Sequence, residues 1–212
     1  THKLNQLNSV PKASSSMRRQ KRSVDQEAGG GAKSRSLHED KLVTMPISER
    51  VHWRPAYVGL GSNMQGPAGQ LASAFDLIAA IPDTRLITHS SLYRSAPFGG
   101  IEQPDFVNAV AALLTRLPAR RLLGELQLIE TRRGRERDSV RWGPRVLDLD
   151  LLVYASEEVD GPDLTIPHPG IAERNFVLLP LREVAPGLVV KGLGQISTIS
   201  VNLDEPKISR II

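Results

Sequence analysis

Asp148 and Asp150 stand two positions apart in RVLDLDLLVY (Arg145–Tyr154), a stretch otherwise built, after its leading Arg, from Leu, Val and Tyr. Side chains alternate between the faces of a strand, so Leu147, Leu149, Leu151 and Val153 are expected on one face and both carboxylates on the other. Like charges at neighbouring same-face positions repel, and burying them is costly without a positive partner. The approach to the strand supplies that charge: Arg132, Arg133, Arg135, Arg137, Arg141 and Arg145 crowd a segment ending in GRERDSVRWGPR. Guanidinium forks match phosphate oxygens. Carboxylates about 6.6 Å apart along a strand can lean toward a pair of divalent cations, which two-metal sites hold roughly 3.5–4 Å apart. Mg²⁺ takes one or two carboxylates and completes its shell with phosphate oxygens. The alternative is a pair of aspartates on a water-facing sheet surface, with Arg132 and Arg133 at a solvated helix end. The arginine loop favours cations and polyphosphate.

A second motif carries less. GLGSNM resembles the opening of a dinucleotide fingerprint, but Met64 stands where the third glycine belongs, and no G-x-x-x-x-G-K-S/T occurs. Gly59, Gly61, Ser62 and Asn63 are therefore read as a strand-to-helix turn with a polar cap.

The elements that must position these groups follow from hydrophobic spacing. AYVGLGSN opens as a strand. PAGQLASAFDLIAAI places Leu71, Phe75 and Ile78 on one helix face. TRLITHSSLYRS and DFVNAVAALLT have strand content, separated by the Gly/Pro-rich loop APFGGIEQP. PARRLLGELQLIETRR is a second helix, with Pro118 in its first turn and Leu122, Leu126 and Ile129 as its stripe. The aspartate strand comes next. LTIPHP is short and extended, GIAERNFVLLPLREVA is helical up to an interruption at Pro180, and GLVVKGLG is a minor hairpin. The order β-α-β-β-α-β predicts an α+β, ferredoxin-like fold with an antiparallel-rich sheet layered by helices.

Charge is unevenly distributed. Thr1 to Arg54 holds 11 Lys+Arg against 5 Asp+Glu, whereas the rest holds 16 against 18. Residues 1–54 are expected to be a disordered basic tail and 55–212 the folded domain. A polyanion-binding arm is the functional alternative for that tail. The absence of cysteine excludes disulfides and thiolate metal sites. No apolar run reaches the roughly 20 residues of a membrane span, and no hydrophobic stretch follows the basic N-terminus as in a secretory signal. A cytoplasmic protein is expected.

RWGPRVLDLDLLVY is similar to the signature of the 6-hydroxymethyl-7,8-dihydropterin pyrophosphokinases of folate biosynthesis. The resemblance extends in order through YVGLGSN, SSLYRSAPFGG, QPDFVNAV, QLIETRRGRER and IPHPGIAERNFVLLPL, from Ala56 to about Leu188. It implies a ferredoxin-like fold and a transferase that moves a pyrophosphoryl group from ATP to the pterin hydroxymethyl group and releases AMP. It implies that Asp148 and Asp150 hold two Mg²⁺ ions, with Arg135 and Arg145 as catalytic groups on the transferred phosphates. Gln127, Glu130, Arg137, Trp142 and His168 would contact ATP; Gln127 and Glu130, three apart, are expected on one helix face. Phe106 and Phe176 would sandwich the pterin, with Ser95, Pro97, Phe98, Asn108 and Arg174 around it. Taken alone, both aromatics read as core and His168 as a strand-end hydrogen-bonder.

Three positions depart from the family's pattern. Ser95 replaces a common threonine but keeps the hydroxyl, and Ala96 and Gly170 stand where proline and a basic residue are frequent. A single activity is implied, carried by a monomer that needs no membrane or nucleic acid. A nucleic-acid-binding module is disfavoured because no series of stacking aromatics accompanies the basic residues. A catalytically dead relative is disfavoured by the intact Asp148, Asp150, Arg135 and Arg145.

Overall fold

The chain is described here by a computed structural model covering residues 52–97, 102–134 and 143–211. Strand β1 (Arg54–Ser62) buries Ala56, Val58 and Leu60 by simple alternation. It leads into helix α1 (Pro67–Ala79), where Pro67 suits the first turn and Gly66, at φ 76°, supplies the left-handed entry. The expected face, Leu71, Phe75 and Ile78, is buried. Strands β2 (Thr84–His89), β3 (Tyr93–Ser95) and β4 (Phe106–Thr115) follow. Helix α2 (Ala119–Arg132) then buries Leu122, Leu126 and Ile129 as its spacing requires, before β5 (Asp148–Tyr154).

Among the described residues the main sheet has six strands, and β2 and β3 share one lane of it. β2 runs along β4 from Thr115 to Ala111 and β3 from Asn108 to Phe106, so the two behave as one interrupted strand. Ser90 bridges the interruption: its N–H donates to the Val110 carbonyl at 2.8 Å and its hydroxyl accepts the Val110 N–H at 3.0 Å. Counted this way, the lanes run (β2/β3)-β4-β1-β5, all antiparallel. That is the expected ferredoxin-like arrangement.

Several features differ from the sequence reading. First, Val153 does not share the face of Leu147, Leu149 and Leu151. Val58 pairs with Leu151 and Tyr57 with Val153, which leaves Leu152 as a bulge. Alternation slips there, so Val153 packs with Val110 and Leu178, while Tyr154 rejoins the first cluster.

Second, the chain after β6 (Val159–Asp160) and β7 (Thr165–Ile166) does not stop its helix at Pro180. It forms a short helix α3 (Gly170–Glu173), breaks at Arg174 (φ −117°, ψ 111°), and continues as α4 (Asn175–Val184) straight through Pro180. An interior proline costs about 3 kcal/mol. Val177, Leu178 and Leu181 are buried, each contributing about 1.5–3 kcal/mol, so packing wins.

Third, after the expected hairpin β8 (Val189–Val190) and β9 (Gly194–Gln195), strand β10 (Ile208–Arg210) adds to the sheet beside β3. Its few residues gave no periodic signal. The expected boundary after residue 54 also cuts into the fold, because β1 starts at Arg54 and Trp53 is stacked by Arg85 and Arg116 at 4.4 and 4.7 Å.

The sheet's two faces have different covers. The α1/α2 face holds the larger apolar cluster, including Ala111, Leu113, Leu149 and Leu151. The opposite face packs under α4 through Val110, Leu152 and Val153. Its remaining part forms the floor of a cavity.

Candidate active site

Two cross-strand rows make that floor. Asn108 on β4 faces Gly61 on β1, which faces Asp148 on β5. One step along, Gly59 faces Asp150 on one side and Val110 on the other, Val110 itself packing under α4 rather than lining the cavity. Gly59 and Gly61 are thus strand residues rather than the expected turn. Each leaves bare backbone beside a carboxylate, where any side chain would occupy the space. A Cβ on Gly59 would meet Leu152 Cδ2 at 3.4 Å, and one on Gly61 would meet Asn108 Oδ1 at 3.5 Å. Asn63, expected as a cap, is instead a buried junction. It donates to Gln103 Oε1 at 3.0 Å and to the Pro104 carbonyl at 3.1 Å, and its Oδ1 accepts the Arg145 N–H at 2.8 Å.

The walls bring together most of the residues singled out from the sequence. The cavity, about 280 Å³, is lined from β3 and β4 by Ser95, Phe106 and Asn108, from the α3–α4 break by Arg174 and from α4 by Phe176. Arg145, Asp148, Asp150 and His168 complete the ring. Asn108 Nδ2 donates to Ser95 Oγ at 2.9 Å, which holds both side chains, almost fully buried, against that wall.

Charge in the cavity is compensated. Arg145 Nη1 donates to Asp148 Oδ1, with both side chains about one quarter exposed. From the opposite layer, the buried Glu130 accepts the Leu149 N–H at 2.8 Å and so fixes the backbone between the two aspartates. His168 is held by its N–H, which donates to the Leu152 carbonyl at 2.8 Å. Its Nδ1 accepts the Gly170 N–H at 3.1 Å, which leaves the proton on Nε2. Burial, and then the positive charge of Arg174, hold its pKa below the ordinary histidine value. The ring is therefore a neutral N–H donor at neutral pH.

A second, more open cleft adjoins the first and shares Asp150 and His168 with it. Leu123, Leu151, Asp163 and Thr165 line it. Gln127 and Glu130 line neither space and do not present one common face. Gln127 is exposed, one turn beyond Leu123, whereas Glu130 lies across the helix's burial boundary in the core. Pro97 is half-buried just past the Ser95 wall and off the lining. Phe98, Arg135, Arg137 and Trp142 lie outside the described residues. Sequence reasoning missed Gly59, Gly61 and Leu152. The available signal was the match of glycines at i and i+2 on one strand to aspartates at i and i+2 on another.

Among the described residues no three His, Asp or Glu side chains are arranged to hold a metal by themselves. Two carboxylates with hard oxygen donors, beside an arginine, fit a divalent cation that brings phosphate oxygens with it.

A family model described as 7,8-dihydro-6-hydroxymethylpterin-pyrophosphokinase (HPPK) matches residues 57–186. A Haemophilus influenzae 2-amino-4-hydroxy-6-hydroxymethyldihydropteridine pyrophosphokinase is 48% identical over 135 residues, covering 64% of this chain and 84% of the relative. The enzyme of the same description from Pseudomonas aeruginosa is 49% identical over 132 residues, covering 62% and 81%. Among solved structures, wild-type Plasmodium falciparum HPPK-DHPS with pterin and p-hydroxybenzoate superposes with a TM-score of 0.56 at 15% identity. It covers 78% of this chain, which spans 48% of that longer one, and the likeness is one of fold.

Proposed function

The chain belongs to the 7,8-dihydro-6-hydroxymethylpterin-pyrophosphokinase family, whose members transfer pyrophosphate from ATP to hydroxymethyldihydropterin in folate biosynthesis, and from that premise we infer how its cavity divides the work. The pterin occupies the end lined by Ser95, Phe106, Asn108 and Phe176. The polyphosphate lies over Asp148 and Asp150, and the nucleoside enters the second cleft. One observation carries this reading. The aspartate pair and the amide- and phenyl-lined end share one floor, with bare glycine backbone between Asn108 and Asp148.

The chemistry is positioning and charge compensation. The pterin hydroxymethyl oxygen attacks the β-phosphorus, the bond from that phosphorus to the α,β-bridging oxygen breaks, and AMP leaves with the electron pair. Phe106 and Phe176 offer flat apolar faces to the heterocycle, and Asn108 and Ser95 offer polar contacts at its edge. Arg145 can exchange the Asp148 carboxylate for phosphate oxygens, since the same guanidinium fork matches both. His168 donates Nε2–H to a phosphate oxygen and carries no charge to be removed. Asp148 and Asp150 would hold the Mg²⁺ ions, two in this reading. Bound there, Mg²⁺ would neutralise the polyphosphate and ease loss of the hydroxyl proton. No side chain in the described lining is needed as a general base. By the family resemblance, Arg135 would meet the charge on the transferred group and Arg137 and Trp142 would contact ATP; exclusion of water matters because water competes as acceptor. The protein acts as a cytoplasmic monomer in this reading.

The test is direct: purified protein, ATP, Mg²⁺ and 6-hydroxymethyl-7,8-dihydropterin should give AMP and the pterin diphosphate in equal amounts. ADP as the product, or AMP formed without the pterin, would overturn the assignment.

A further inference from the structure

The last stretch of the described chain is bonded to both sides of the cavity. β10 runs antiparallel to β3 with Ile208 opposite Ser95, and the Ala96 N–H donates to the Lys207 carbonyl at 3.0 Å. A few residues earlier the same segment meets the other wall. Asn175 Nδ2 donates to the carbonyls of Asn202 at 2.9 Å and Pro206 at 2.7 Å. Asn175 is 1% exposed and contributes nothing to the lining, yet it stands between Arg174 and Phe176, which both do. Glu183 fastens the far end. It accepts the Ser91 N–H at 3.1 Å, the Ser91 hydroxyl at 2.8 Å, the Tyr93 hydroxyl at 2.8 Å and Arg210 Nη2 at 3.3 Å. These bonds tie β3, α4 and the terminal segment to one another. The family match ends at residue 186, before this segment begins.

We propose that residues 202–211 form a strap that fixes the β3 wall against the α4 wall, and that Asn175 is the positioning residue through which the strap sets pterin affinity. Helix α4 closes its first turn through backbone bonds alone, the Val177 and Leu178 N–H groups donating to the Arg174 carbonyl; among the described residues no side chain caps it, and Pro180 removes an interior bond. Both hydrogens of the Asn175 amide go to the strap. Lengthening or loss of those bonds lets the Arg174–Phe176 turn move relative to Ser95. The phosphate side is independent of the strap, because Asp148 and Asp150 belong to β5 and His168 hangs from Leu152. The inference rests on the assignment of the Ser95–Phe176 end to the pterin.

The experiment uses the full chain with Asn175→Asp, which keeps the shape but turns an acceptor toward the two carbonyls, and Arg210→Ala, which loosens β10 from Glu183 at an exposed site. Calorimetry with 6-hydroxymethyl-7,8-dihydropterin and with Mg-ATP is paired with hydrogen exchange at Ala96 and residues 208–210. The expected result for Asn175→Asp is a tenfold or greater rise in the pterin Kd, an ATP Kd within twofold of the parent, and faster exchange at Ala96. Arg210→Ala should shift both readouts in the same direction by less, and it decides the matter if Asn175→Asp does not fold. Faster exchange with unchanged pterin affinity overturns the proposal, as does unchanged exchange at Ala96. If the parent protein binds no pterin, the functional assignment fails separately. The strap is then judged on exchange alone, and retained protection of Ala96 in both variants sinks it.

Discussion

Arg174 runs close over position 170: a Cβ on Gly170 would meet Arg174 Cδ and Nε at 3.0 Å and Cζ at 3.1 Å. The conflicting atoms are the far end of a flexible side chain, so Gly170→Ala displaces the guanidinium rather than the backbone. Alanine also orders the unfolded chain, which favours folding by about 0.4–1 kcal/mol. The expected signature is an unchanged or higher Tm with kcat/KM lowered about tenfold, roughly 1.4 kcal/mol. Loss of Tm and activity together would mean that Gly170 serves only the fold. Asp148→Ala and Asp150→Ala should each lower kcat at least about a hundredfold, near 3 kcal/mol, with circular dichroism unchanged. Near-normal rates at saturating Mg²⁺ would refute the cation assignment. Phe106→Ala should weaken pterin binding while sparing ATP, since stacking contributes about 0.5–1.5 kcal/mol beyond area burial. Calorimetry with each ligand separates the two, and equal losses would make the ring plain core.

At the scale of elements, Glu183 joins three of them and responds to pH. Burial alone would raise its carboxyl pKa. Hydrogen bonds from Ser91 and Tyr93, with the charge of Arg210, overcome that and hold it below the usual value of 4.5. The converse holds for Tyr93, pushed up to about 12 by burial and by its bond to Glu183. A carboxyl with a depressed folded pKa contributes stability that is complete above the unfolded value and is lost as pH falls through the folded one. The Tm difference between the parent and Glu183→Gln should therefore shrink as pH is lowered from neutral to below about 4. A difference constant across that range would refute this role for the ionised Glu183. These elements also show what a sequence can and cannot disclose. The faces of α1 and α2 were legible because their burial is periodic. The Asp148/Asp150 pair was legible because charge inside an apolar strand is anomalous. The α3–α4 break, the continuation through Pro180 and the β10 pairing were not, because each is decided by tertiary contacts that outweigh local propensity.

For the whole molecule, the charge asymmetry and the start of the fold give different cutting points. The net positive charge is concentrated in the first 54 residues, whereas the described fold already includes Trp53, whose ring is met by the guanidinium groups of Arg85 and Arg116, and Arg54 bonded to Glu157. We propose that removing residues 1–51 leaves kcat within twofold, any loss appearing as weaker salt-dependent adhesion to polyanions. Extending the deletion through Arg54 should cost about 1–2 kcal/mol from the stacked cations, or roughly 2–8 °C in Tm. Steady-state kinetics and thermal melts on the two truncations check this. A tenfold fall in kcat for the shorter deletion, with circular dichroism unchanged, would place the tail at the active site.

The bulge at Leu152 works like a spare letter in an otherwise strict two-beat metre. Strike out one leucine of the Leu151–Leu152 pair and the line still scans. Tyr57 would follow Val58 just as Val153 follows the remaining leucine, Asp148 and Asp150 keep facing the cavity, and Tyr154 keeps facing the core. What disappears is a side chain at the cavity's edge and the carbonyl from which His168 hangs. A one-leucine deletion there should therefore fold and keep its carboxylates in place, yet free the imidazole to titrate nearer the ordinary histidine value by NMR. A His168 titration unmoved by the deletion would show that the histidine is held by something else. An added or missing residue anywhere between Asp148 and Asp150 has no such tolerance, because it would turn one carboxylate toward the core.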